Sequence, residues 1–87
     1  MEKLKQDLLE SSEKLVFGTE RNLKLLKDDR IKRIYITSNC IDTIKEEIKR
    51  YALHNGKTEI VELNATNSET GLICKKPFSI SVIGLIK

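Results

Sequence analysis

The chain has no tryptophan, one proline, one histidine, two cysteines and only two tyrosines and two phenylalanines among its 87 residues. Each scarcity closes a class of function. With aromatics at 5%, a platform on which the bases of a single strand stack in succession is disfavoured. His54 stands near the end of a helical segment, where it suits the carbonyl end of the dipole. It has no Ser, Cys or acidic neighbour in sequence that would make it half of a nucleophile–base pair. His54, Cys40 and Cys74 together fall short of the four protein ligands of a structural zinc site. Both cysteines read as packed, reduced thiols. "GTERNLK" lacks the second glycine of a dinucleotide fingerprint, and no Walker loop occurs. Glu46-Glu47 sits among Lys45, Lys49 and Arg50 and reads as a solvated helix face. No apolar run approaches the roughly 18 residues of a membrane span. The mixed charges of "MEKLKQDLLESSEKL" are unlike a signal peptide. The expectation is a cytoplasmic, non-enzymatic protein without cofactor, metal, membrane association or small-molecule substrate.

What is present is charge and a regular alternation of patterns. Charged residues make up 33% of the chain and the net charge is +3. Residues 1–33 hold nine Lys/Arg against seven Asp/Glu, residues 34–67 four against five, and residues 68–87 three against one. Both ends are thus basic, and a fold that joins them has a positive side. The length suits one domain, residues 1–87, with a modest core.

Leu4, Leu8 and Leu9 share one side of an N-terminal helix. Leu15-Val16-Phe17 is a short strand that stops at Gly18. Leu23 and Leu26 mark a second helix. "IKRIYIT" is apolar on both faces and reads as a central strand. Ile41, Ile44, Ile48, Tyr51 and Ala52 form the stripe of the clearest helix, with Gly56 as its left-handed stop. "TEIVEL" is a strand. Thr66 and Glu69 match a capping box that opens a short helix running to Cys74. Beyond Pro77, "FSISVIGLIK" alternates Phe78, Ile80 and Val82 as the last strand. Four helical and four strand segments alternating in this way predict an α/β fold. Its form is a three-layer α/β/α sandwich around a four-stranded, mostly parallel or mixed sheet.

Loops that leave parallel strands gather at the carboxyl edge, where ligands bind such sheets. Three of them are small and polar: Gly18-Thr19-Glu20-Arg21-Asn22, Ser38-Asn39-Cys40 and Asn64 through Glu69. Each leads into a helix N-terminus, whose free N–H groups favour phosphate. Lys24 follows the first and Lys75-Lys76 the third. Taken singly, each loop reads as an N-cap. Together with the lysines they read as an anion site, and Gly18 as the residue that frees the backbone there.

"FGTERNLKLLKDDRIKRIYITSNC", "IKEEIKRYA" and "TNSETGLICKKP", in this order and followed by a Val/Ile strand, resemble the kink-turn-binding ribosomal protein superfamily. The nearest likeness is to its "thirty-e" branch of archaeal and eukaryotic large-subunit proteins, from about Leu4 to Ile86. The resemblance implies an α/β/α sandwich that grips sharply bent RNA beside sheared G·A pairs, among ribosomal neighbours and without catalysis. Gly18 matches the glycine that lets the backbone approach RNA, and Thr19 lies in the same loop. Glu20, Arg21 and Asn22 match polar residues that read bases and phosphates, and Lys24 matches a basic contact. Asn39 matches a base-contacting asparagine. Thr66 and Asn67, in the Thr66–Glu69 turn, match a loop that packs on the flipped-out part of the RNA, as do Ile73, Cys74 and Lys75. Lys76 follows as part of the same basic step.

Three positions depart from the branch's pattern. Glu20 replaces a basic residue, Thr70 a leucine and Lys75 a glycine. The last change is expected to alter the loop and to add a phosphate contact. These departures keep an alternative open. In it the protein is an RNA-free interaction module of the same fold, docking through the exposed side of the Ile41–Tyr51 helix. A kink-turn binder in another ribonucleoprotein is the second alternative.

Overall fold

A computed structural model describes residues 2–87. The elements follow the sequence patterns closely. Helix α1 is Glu2–Glu10, and a 3-10 turn at Ser12–Lys14 leads into strand β1, Leu15–Phe17. Helix α2 is Thr19–Lys27, strand β2 is Ile31–Ile36, helix α3 is Asp42–Asn55 and strand β3 is Glu59–Glu62. Helix α4 is Asn67–Ile73 and strand β4 is Val82–Ile86. Gly56 ends α3 at φ +79, and its N–H donates to the Ala52 carbonyl at 2.9 Å, as expected of a left-handed stop.

The strand order is β1-β4-β2-β3. β2 and β3 pair in parallel, while β4 runs antiparallel to both β1 and β2. The sheet is therefore mixed. β1, β2 and β3 point the same way, and the last strand is wedged among them in reverse. This arrangement brings the carboxyl ends of three strands and the amino end of β4 to one edge.

Alternation along the central strands separates two cores. Ile34, Ile36 and Val82 join Leu26, Ile31, Cys40 and Ile48 beneath α2 and α3. Tyr35, Ile83 and Leu85 join Leu4, Leu15, Leu63, Cys74 and Ile80 beneath α1 and α4. The helices thus cover both faces in three layers. Each fully buried large side chain contributes about 1.5–3 kcal/mol through burial.

One polar group is built into the second core. Asp7 of α1 is only 8% exposed and accepts hydrogen bonds from the Tyr35 hydroxyl and from Arg33 at 2.9 Å. Arg33 also reaches Glu59 at 2.9 Å, and Lys3 reaches the other Glu59 oxygen at 2.6 Å. A buried carboxylate without such donors would be costly. With them it ties α1 to β2 and β3. Burial, reinforced by the hydrogen bond to Asp7, pushes the Tyr35 hydroxyl up to about 12.

The stripes differ from expectation at three points. Ile41 is 69% exposed, because it is the N-cap of α3 rather than part of its buried face. Leu9 is exposed, and the sheet-facing stripe of α1 is Leu4, Asp7 and Leu8. The last strand begins at Val82, not Phe78, and Phe78 is exposed. The segment 78–81 gives its hydrogen bonds to loops instead of to a ladder.

Candidate nucleic-acid interface

The first corner follows β1. Gly18 has φ +112 and ψ 143, a conformation that side chains resist. A Cβ placed on it would meet nothing within 4 Å. The glycine is required by its backbone angles, and the space above it is open. Gly18 is also the N-cap of α2, and it has no side chain to cap the helix. The first turn of α2 therefore presents backbone N–H groups beside the exposed residues Glu20, Arg21 and Lys24, a suitable place for phosphate.

Asn22 does not join them. Its side chain is completely buried, and its Nδ2 donates to the carbonyls of Val16 at 3.0 Å and Gly18 at 2.7 Å. A side chain without accessible surface cannot read RNA in this conformation. The expectation for Asn22 is corrected: it braces the Gly18 corner from within.

The second corner follows β2. The Thr37 N–H donates to Ser81 and the Ser38 N–H to Ala65. Asn39 does not cap its own helix, since the N-cap of α3 is Ile41 and the helix has no side-chain cap. It reaches across to the third corner instead. The Asn67 N–H donates to Asn39 Oδ1 at 2.8 Å, and Asn39 Nδ2 donates to Asn67 Oδ1 at 3.0 Å. Asn39 thus caps α4. In the third corner the expected capping box is formed: the Glu69 N–H donates to Thr66 Oγ1 at 3.3 Å, and the Thr66 N–H to Glu69 Oε1 at 3.0 Å. The backbone N–H and hydroxyl of Thr66 hold the Glu69 carboxyl below its ordinary range.

The stretch entering β4 joins all three corners. The Gly18 N–H donates to Val82, Thr37 to Ser81, and Ile80 to Asn67, at 3.3, 3.1 and 3.1 Å. Gly18, Asn39 and Asn67 accordingly share one rim.

The α4–β4 loop completes it. Lys75 takes φ +57, a left-handed conformation that a glycine adopts freely. The tight turn is therefore made by lysine at some strain, with the Lys75 N–H bonded to Leu72 at 3.0 Å. Lys76 lies 4.9 Å over the Phe17 ring, which sets its charge beside the Gly18 corner. Ile73 is half-buried. Ion pairs formed by the described residues use none of Arg21, Lys24, Lys75 or Lys76.

Leu72, 76% exposed, and Phe78 flank a shallow groove with Ser68, Lys76, Pro77 and Ser79. Sequence reasoning took Phe78 for a strand residue and missed this apolar lip. The available signal was Pro77 directly before it, which argues against a ladder position. Burial raises the thiols of Cys40 and Cys74, which leaves both largely protonated at neutral pH.

A three-layer α/β/α sandwich with uncapped and cross-capped helix N-termini along one basic loop rim defines the class of protein. The chain belongs to the Ribosomal protein L7Ae/L30e/S12e/Gadd45 family, whose model matches residues 2–87. Among similar proteins is the large ribosomal subunit protein eL30 of Sulfurisphaera tokodaii. It is 34% identical over 73 residues, which cover 84% of this chain and 68% of the relative. The eL30 of Trypanosoma brucei brucei is 33% identical over 81 residues, 93% of this chain and 76% of the relative. The expected superfamily and branch are borne out, and so is the non-enzymatic expectation, because the family is one of ribosomal proteins. The fold is shared with a Bacillus halodurans protein of unknown function (TM-score 0.74, 14% identity, covering 87% of this chain and 74% of that one). It is shared too with the Giardia lamblia 15.5kD RNA binding protein (TM-score 0.68, 15% identity, covering 88% and 63%).

Proposed function

We propose that the protein is a structural component of the large ribosomal subunit in the cytoplasm, and that it binds and stabilises a kink-turn of rRNA with its loop rim. The observation that carries this reading is the fusion of three strand-exit corners through the Asn39–Asn67 pair and the β4 entry segment. One continuous surface then offers N–H groups, amides and lysines to a folded-back backbone. Its relatives named as large-subunit proteins support the ribosomal setting.

In this proposal Gly18 and Thr19 bring the backbone of α2 against phosphate. Glu20 and Arg21 face the bases, and Lys24, Lys75 and Lys76 neutralise phosphates. Asn39 and Asn67 hold each other in place for base contacts, with Thr66 fixing the turn. Ile73, Leu72 and Phe78 cover an unstacked nucleotide. The protein acts by population shift, because it favours the bent RNA over the extended one.

A gel shift with a kink-turn RNA is the test. Binding is expected to be tight and to collapse when the sheared G·A pairs are replaced by Watson–Crick pairs. Equal affinity for the two RNAs would reject the mechanism.

A further inference from the structure

On one face of the sheet α2 and α3 pack against each other, whereas on the other α1 and α4 hardly touch. The gap between them is an open groove of about 550 Å³, lined by Lys5, Leu8 and Leu9 on one side and Ile73, Cys74 and Lys75 on the other. Each wall has the same make-up: two residues with apolar or weakly polar side chains and one lysine. Among the described residues no carboxylate lines it. Leu9 is 87% exposed, although the sheet-facing stripe of α1 is already complete with Leu4, Asp7 and Leu8. Leu9 shares the groove side with Lys5 one turn earlier. Opposite, the exposed Lys75 sits at its lip.

We propose that this groove docks an amphipathic helix of a partner protein, with an apolar ridge flanked by Asp or Glu on both sides. The ridge would cover Leu8, Leu9 and Ile73, in the helix-in-groove manner. Carboxylates on the two flanks meet Lys5 and Lys75. Along the α1 wall RNA is the poorer match: Leu8 and Leu9 give a base no ring to stack on. The groove shares Ile73 and Lys75 with the proposed RNA rim, while Lys5, Leu8 and Leu9 lie outside it.

The test uses the whole chain and a fluorescein-labelled 18-residue helical peptide with leucines at i, i+3, i+4 and i+7 and glutamates on both flanks. A second peptide carries lysine at every glutamate. Anisotropy is expected to show at least tenfold tighter binding of the acidic peptide. Amide shifts on its addition should centre on residues 5–9 and 73–75. Leu9→Ser and Lys5→Glu, both exposed positions outside the proposed RNA rim, should each weaken the peptide at least tenfold. Their melting temperature and kink-turn RNA affinity should be unchanged. Equal binding of the two peptides, or undiminished binding by Leu9→Ser, overturns the proposal. So does a kink-turn RNA that shifts Lys5, Leu8 and Leu9 as strongly as the peptide does, because the groove then belongs to nucleic acid. Failure of RNA binding alone leaves the peptide result standing and counts against the rim instead.

Discussion

The Asn22 side chain fills the space that a methyl group on Gly84 would occupy: a Cβ at Gly84 would stand 1.9 Å from Asn22 Oδ1. The same amide donates to Val16 and Gly18, so a glycine in the middle of β4 makes room for the residue that braces the first corner. Gly84→Ala is expected to cost about 1–3 kcal/mol, as overpacking does. Asn22→Ser alone also destabilises, by losing the carbonyl bonds. In the Gly84→Ala background it should cost less than alone, since the clash is relieved. Urea midpoints of the four proteins measure that coupling, and strict additivity would show that the two residues do not compete for space.

Asn39→Ala should weaken kink-turn binding by about 1–3 kcal/mol, the range of a base-reading contact. Asn39→Asp is the sharper variant. It keeps an acceptor for the Asn67 N–H but loses the donor to Asn67 Oδ1 and sets two oxygens against each other. Gel shifts on both variants should show losses of similar size. An unaffected Asn39→Asp would mean that the asparagine pair does not organise the RNA surface.

Lys24→Ala should lower affinity across RNA sequences and reduce the salt slope by about one. Titrations at several salt concentrations read this directly. A loss confined to one RNA, with the slope intact, would argue that Lys24 reads a base instead.

Thr70 is completely buried, and its Oγ1 has no partner among the described residues. The desolvated hydroxyl costs free energy that a methyl group would not. Thr70→Val is therefore expected to stabilise the fold by about 1 kcal/mol in denaturant unfolding. Destabilisation would indicate that the hydroxyl is in fact satisfied in solution.

The Tyr35 hydroxyl is pushed up to about 12 from an ordinary value of 10.0, first by burial and then by Asp7. Below pH 10 both folded and unfolded chains hold this proton, and its stabilisation is fully present. Between pH 10 and about 12 the unfolded chain releases the proton and the folded chain does not, so stability falls as pH rises through that window. Tyr35→Phe should start less stable, because Asp7 loses a donor, and should lose less stability over the window. Unfolding midpoints from pH 8 to pH 12 test both statements, and parallel curves for the two proteins would contradict the assignment.

The sequence by itself determined the elements and their layers. Period-two and period-3.6 patterns are local, so Leu15–Phe17, the Ile44–Ile48–Ala52 stripe, the Gly56 stop and the Thr66–Glu69 box were all legible without a fold. Gly18 was legible too, since the freedom to take a positive φ belongs to glycine itself. The direction of β4 was not, because strand pairing is a long-range choice that local alternation does not encode. From it follow the early exit of Phe78 from the ladder, the bonds that join the three corners, and the fate of two asparagines. Asn22 and Asn39 look alike in sequence as polar residues near helix starts. Packing sent the first inward against Gly84, and loop closure sent the second across the rim to Asn67. A side chain's chemistry is set by its type, but whether it meets a carbonyl, another amide or solvent is settled only when distant segments come within hydrogen-bond reach.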